Sequence, residues 1–117
     1  MTSAAVVFET LADPTRLRLV EELRAGERSV GALVEAVGMS QPGVSRHLRI
    51  LHDAGFVRAR ADGQRRLYSL RRQPFRELAA WVEDYRDLVE LRLDRLQELV
   101  LAEDERDRRR PRHRGGS

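Results

Sequence analysis

The sequence predicts a mainly α-helical domain carrying one β-hairpin, and three observations lead there. Apolar residues recur at helical spacing in four segments before Gly55. Residues 57–61 then alternate, with Val57, Ala59 and Ala61 against Arg58 and Arg60, and run into the turn signal Asp62-Gly63. A long repeat of apolar residues in steps of three and four follows from Pro74.

Each element has its own reason. Ala4, Ala5, Val6, Val7, Phe8 and Leu11 form a short apolar helix. Asp13-Pro14 supplies an N-cap and a proline at the first position of a second helix, with Leu17, Val20 and Leu23 inward, Arg18, Glu21, Glu22 and Arg24 outward, and Gly26 closing it. Ser29 caps a third helix that buries Leu33, Val34 and Val37 and ends at Gly38. Ser40 caps a fourth, with Gln41 and Pro42 in its first turn and Val44, Leu48 and Leu51 as an inward stripe, running to about Ala54. The break Gly38-Met39-Ser40 has the spacing of a helix-turn-helix. The strand at 57–61 turns at Asp62-Gly63 and returns over residues 65–70 with Tyr68 and Leu70 on one face, which makes the hairpin a wing.

The fourth helix carries the functional signal. Gln41, Gly43, Ser45, Arg46, His47 and Arg49 are left towards solvent, a set of donors and cations without a carboxylate that suits phosphates and the acceptor-rich major groove. Gln41, Ser45, Arg46 and His47 are the candidates for base edges or phosphates, and Arg46 can span guanine O6 and N7 with two parallel bonds. Ser40 caps the helix and offers backbone N–H groups to a phosphate. Arg49, Arg65 and Arg66 are placed on the sugar-phosphate backbone, with Arg58 and Arg60 behind them. His52, near the helix end, suits the C-terminal dipole.

Charge distribution agrees. The net charge is +3, yet residues 40–72 hold eight Arg against only Asp53 and Asp62, while the segments on either side of them, 1–39 and 73–102, are acidic. A local positive field of this kind recruits polyanions. All 22 basic residues are Arg, which by itself says little.

Residues 74–102 are expected as one long helix with Phe75, Leu78, Val82, Tyr85, Val89, Leu93, Leu96 and Val100 along a seam, widened by Trp81, Leu88, Leu91 and Leu99. A domain this small cannot bury that seam alone, so a second copy is expected to pair with it. Val7 and Phe8 of the first helix are expected at the same interface. Residues 1–102 thus read as one DNA-binding and dimerisation domain, and the Arg-rich residues 103–117 as a disordered tail.

Three linked motifs carry a resemblance. Leu11-Ala12-Asp13-Pro14-Thr15-Arg16-Leu17-Arg18-Leu19, Ser40-Gln41-Pro42-Gly43-Val44-Ser45-Arg46-His47-Leu48 and Leu51-His52-Asp53-Ala54-Gly55-Phe56-Val57 resemble the ArsR/SmtB family of bacterial winged-helix repressors, in order and spacing over residues 5–100. The resemblance implies a homodimer built from the first and last helices. It also implies that the fourth helix enters the major groove, with the wing beside the backbone or in the minor groove. The Phe75, Trp81 and Tyr85 pattern is similar to the branch of autorepressors without a metal site.

Metal sensors of the family carry Cys-x-Cys before the recognition helix, where this chain reads Glu27-Arg28-Ser29-Val30-Gly31-Ala32-Leu33 and has no cysteine at all. Residues 74–102 contain no histidine, and Glu83, Asp84, Asp87 and Glu90 offer oxygen only, so neither a metal nor another cofactor is expected. Repression then requires only that the dimer occupy double-stranded operator DNA and exclude polymerase. An inducer, either a small apolar ligand or a partner protein, is expected to act at Trp81 and Tyr85.

Other classes fit less well. Ser45 and His47 point in different directions on a helix with no Asp to orient the imidazole, and no glycine-rich phosphate loop is present, so no catalytic residue is expected. The alternative is a winged helix that binds an acidic protein partner. Without a bilayer-length apolar run or a secretion signal, the expected location is the cytoplasm, away from membranes.

Overall fold

The computed structural model describes residues 3–109, apart from the side chains of residues 89–95 and Arg109. The order is α1 (Ala4–Leu11), α2 (Pro14–Leu23), β1 (Arg28–Ser29), α3 (Val30–Val37), α4 (Gln41–Asp53), β2 (Val57–Asp62), β3 (Arg65–Leu70), α5 (Gln73–Asp84) and α6 (Arg86–Arg109). Two compact units divide it, Met1–Trp81 and Val82–Ser117.

Side-chain caps start the first four helices. The Ser3, Asp13, Ser29 and Ser40 oxygens accept from backbone N–H groups of their own first turns, which satisfies donors that a helix start otherwise leaves orphaned. Arginines then tie elements end to end. Arg16 Nε donates to the Thr10 carbonyl at 2.8 Å, Arg18 Nη2 to Ala36 at 2.7 Å, and Arg28 Nε to Glu22 at 3.0 Å. Gly38 ends α3 at φ +67°, a left-handed conformation that gives the helix-turn-helix its bend at little steric cost.

The core of the first unit gathers Val7 of α1, Leu19, Val20 and Leu23 of α2, Leu33 of α3, and Val44, Leu48 and Leu51 of α4, closed by Phe56 and Val57. Tyr68, Leu70, Phe75 and Leu78 pack on its edge, and the Phe56 and Phe75 rings meet edge to face at 6.0 Å. On α2 it is Leu19 that is sealed inside, while Leu17 stays 40% exposed. The expected inward role of Leu17 is therefore corrected: Val20 and Leu23 fix the buried side, and Leu19, one turn before Leu23, shares it.

The sheet has a strand the alternation rule could not reveal. Two-residue β1 joins the hairpin in the order β1-β3-β2, with Arg28 opposite Tyr68 and Ser29 opposite Leu67. In the hairpin Val57 faces Leu70, Ala59 faces Tyr68, Ala61 faces Arg66 and Asp62 faces Arg65, around the two-residue loop Gly63-Gln64.

The expected single helix over 74–102 is two helices. Tyr85 separates them, its N–H donating to Val82 at 2.9 Å and its carbonyl accepting from Leu88 at 3.1 Å, both over three residues in a tightened turn. Neither Pro nor Gly marks the break, although Asp87 in the first turn of α6 favours a helix start there. α6 reaches Arg109, beyond the end expected at residue 102, and residues 110–117 of the tail lie outside the described residues. No helix among the described residues is long and apolar enough to cross a membrane.

Leu51 sits at the centre of this packing with no exposure. Leu51→Ala is expected to lower unfolding free energy by about 2–5 kcal/mol, read as a lower urea midpoint at unchanged slope.

Candidate nucleic-acid interface

Burial of one stripe decides what α4 presents. Val44, His47, Leu48 and Leu51 are buried at positions one turn apart, so Ser45, Arg46 and Arg49 emerge on the opposite side. Gly43 is held close to the turn: a Cβ there would lie 3.2 Å from both Met39 Sδ and Ser40 Oγ, so glycine permits the tight start of the helix.

The exposed side of α4 faces the wing across a groove of about 700 Å³. Ser45, Arg46 and Arg49 line one wall, and Ala59, Arg66 and Tyr68 line the other. The register explains the second wall, because Ala59 pairs with Tyr68 and Ala61 with Arg66, which puts those side chains on one face of the hairpin. Among the described residues Arg46, Arg49 and Arg66 make no ion pair and no side-chain hydrogen bond, so their donors are available to an incoming anion.

Four of the eight expected DNA-contacting residues thus meet in one groove: Ser45, Arg46, Arg49 and Arg66. Gln41 is exposed in the first turn but does not line it, and the Ser40 hydroxyl is engaged in capping, accepting from Gly43 N–H at 3.3 Å. Arg65 lies on the other hairpin face, paired with Asp62 at 2.8 Å. That bond holds the Asp62 carboxyl below its ordinary range.

His47 is corrected. It is only 7% exposed, and its Nδ1 is buried without a hydrogen-bond partner among the described residues. Its place three residues after Val44 and four before Leu51 puts it inside the apolar stripe, a position the aliphatic pattern alone did not mark. The carboxyl of Asp13 is held below its ordinary range, foremost by the Arg16 N–H, with the N–H of Thr15 and the charges of Arg16 and His47 acting the same way and burial opposing them.

Pro42, His52, Asp53, Ala59 and Tyr68 also line the groove, beyond the residues that the sequence marks for DNA contact. Asp53 places one carboxylate there, with His52 Nδ1 3.5 Å away. The continuing helical period past Arg49 was the signal for the two α4 residues at the groove's far end.

For the interface expected between copies, Val7 is fully buried in its own core, and Phe75 and Leu78 pack against that core. Phe8 stays 43% exposed and meets the ring of Trp81 edge to face at 5.0 Å. In the second unit Val82, Tyr85 and Leu96 are exposed, while the side chains of Val89 and Leu93 lie outside the described residues.

A helix-turn-helix followed by a hairpin, with free guanidinium groups on both walls of the groove between them, defines a winged helix-turn-helix regulator of the DNA-binding class. The arsR family of bacterial regulatory proteins matches residues 13–59. A probable mercury resistance operon repressor of Streptomyces lividans is 48% identical over 68 residues, 58% of this chain and 54% of that protein, so the chain spans about half the length of that relative. The crystal structure of an ArsR family transcriptional regulator superposes with a TM-score of 0.65 at 30% identity, covering 74% of this chain and 89% of the other. A homodimeric winged helix-turn-helix DNA-binding domain from Mycobacterium bovis gives 0.58 at 35% identity over 71% and 77%. The chain belongs to the ArsR family.

The wing is braced from behind. Arg60 Nε and Nη2 donate to the two carboxylate oxygens of Glu27 at 2.8 and 2.7 Å, tying β2 to the turn before β1. This bond, ahead of the opposing effect of burial, keeps the Glu27 carboxyl below its ordinary range and raises Arg60. A carboxyl more acidic in the folded state contributes stability above its unfolded value and loses it as the folded group takes up a proton. Glu27→Gln is therefore expected to melt below the parent at neutral pH, with the gap closing as the pH falls below about 4.3, followed by circular dichroism.

Proposed function

We propose that the chain acts as a homodimeric repressor in which each α4 enters a major groove of an inverted-repeat operator while Arg66 of the wing holds the backbone. The groove that joins three unpaired arginines from two elements carries this reading. Arg46, exposed on α4, would take a guanine edge with both guanidinium arms. Arg49 and Arg66 supply phosphate contacts that fix register without reading sequence.

Pairing of copies is supported by exposed apolar side chains, Phe8 and Trp81 in the first unit and, separately, Val82, Tyr85, Leu88 and Leu96 in the second. The Mycobacterium bovis neighbour is itself a homodimer. An inducer would act at the Phe8 and Trp81 ring pair, where α1 meets α5, and change the angle between the two recognition helices.

Selection of bound sequences from a random duplex pool tests the reading, with sedimentation to count subunits. Two half-sites about one helical turn, roughly 34 Å, apart are expected. A single subunit that enriches no motif in low salt would overturn it and favour binding of an acidic protein partner. Arg46→Ala is expected to relax discrimination at one base pair per half-site by about 1–3 kcal/mol. Arg66→Ala is expected to weaken all sequences alike and to reduce the slope of log affinity on log salt by about one per subunit, measured by fluorescence anisotropy.

A further inference from the structure

A second cationic cleft, of about 470 Å³, lies at the base of the hairpin. Arg58 of β2, Arg71 and Arg72 of the link into α5, and Arg76 of the first turn of α5 line it, with Ser69 and Gln73 between them. All four arginines are exposed, and among the described residues none of their guanidinium groups has a carboxylate or carbonyl partner. The nearest acid along the helix, Glu77, accepts from Gln73 Nε2 at 3.3 Å, and no acid lines the cleft.

This cleft is not part of the α4 groove. Arg58 pairs with Ser69, one step out of phase with the Ala59 and Tyr68 pair that faces α4, so it points to the opposite face of the hairpin. It also sits four residues, roughly 13 Å of strand, from Asp62 at the tip.

The backbone that carries the cluster is fixed. Arg71 N–H donates to the Phe56 carbonyl at 2.8 Å, and the Arg72 carbonyl accepts from Phe75 and Arg76, both at 3.0 Å. Four guanidinium groups held around one cavity repel each other unless an anion joins them. A single carboxylate would leave most of that charge unbalanced. Phosphate oxygens match both the charge and the fork geometry of Arg, and the volume accommodates more than one phosphoryl group.

We propose that the cleft of Arg58, Arg71, Arg72 and Arg76 is a phosphate-binding site separate from the recognition groove. Two sources share this chemistry: a free phosphorylated small molecule, or the backbone of DNA flanking the operator.

The test uses the full chain with inorganic pyrophosphate as probe, by calorimetry at constant ionic strength, beside Arg58→Gln/Arg76→Gln and, as control, Arg66→Ala. A free-ligand site predicts binding to the parent and to Arg66→Ala, weakened about tenfold or more in the double variant. A flanking-DNA site predicts no measurable pyrophosphate binding, and a double variant that loses affinity for a long duplex while a short one is bound as before. Arg66→Ala would lose affinity for both duplexes. If the double variant melts early, Arg side-chain Nε–Hε resonances of the parent, titrated with pyrophosphate or with the long duplex, replace it. Pyrophosphate and duplex binding unchanged in the double variant, or side-chain resonances unmoved by either probe, overturns the proposal. The pyrophosphate arm contains no DNA, so its outcome is independent of operator binding.

Discussion

The rotation of α4 about its own axis is the constraint on which the rest depends. Four side chains in one stripe, Val44, His47, Leu48 and Leu51, are buried, the three aliphatic ones in the core with Phe56, and a helix clamped along one side has no freedom to choose what the other side shows. Ser45, Arg46 and Arg49 are outward because those four are inward. The Ser40 cap and the close approach at Gly43 fix the start of the helix against the turn, so its exposed face is set in both rotation and position.

Partners, more than counts, decide what an arginine-rich sequence can do. Arg16, Arg18 and Arg28 are engaged by backbone carbonyls and Arg60 and Arg65 by carboxylates, so the donors of these five are already occupied within the fold. Arg46, Arg49 and Arg66 remain free on one groove, and Arg58, Arg71, Arg72 and Arg76 on another. The charge profile along the chain located the basic segment but could not divide it, because ion pairs such as Arg60 with Glu27 join residues far apart in sequence.

Legibility followed the range of the interactions involved. Caps at Asp13, Ser29 and Ser40, the aliphatic stripe of α4 and the alternation of β2 are local, and each was read correctly from neighbouring residues. His47 was misplaced because a polar residue inside an apolar stripe is visible only when the helical angle is followed at every position. Strand β1 is two residues long and exists only through pairing with β3, so no local period could announce it. The break at Tyr85 is a backbone event with no proline or glycine behind it. Within the site, Ser45, Arg46 and Arg49 of α4 and Arg66 of the wing were legible, while Ala59 and Tyr68 were not, since the hairpin register sets which alternate residues face the groove.

That register gives two exposed ion pairs a role larger than their energy. Surface pairs such as Glu27 with Arg60 and Asp62 with Arg65 add little stability on their own. A slip of β3 by one residue against β2, however, would turn the β3 side chains to the opposite face, taking Arg66 out of the α4 groove and bringing Arg65 in. The Asp62–Arg65 pair and the two-residue loop at Gly63-Gln64 belong to the observed register, and Glu27 with Arg60 ties β2 to the turn before β1, so both oppose the slipped state. Their worth lies in keeping Arg66 opposite Arg46 and Arg49.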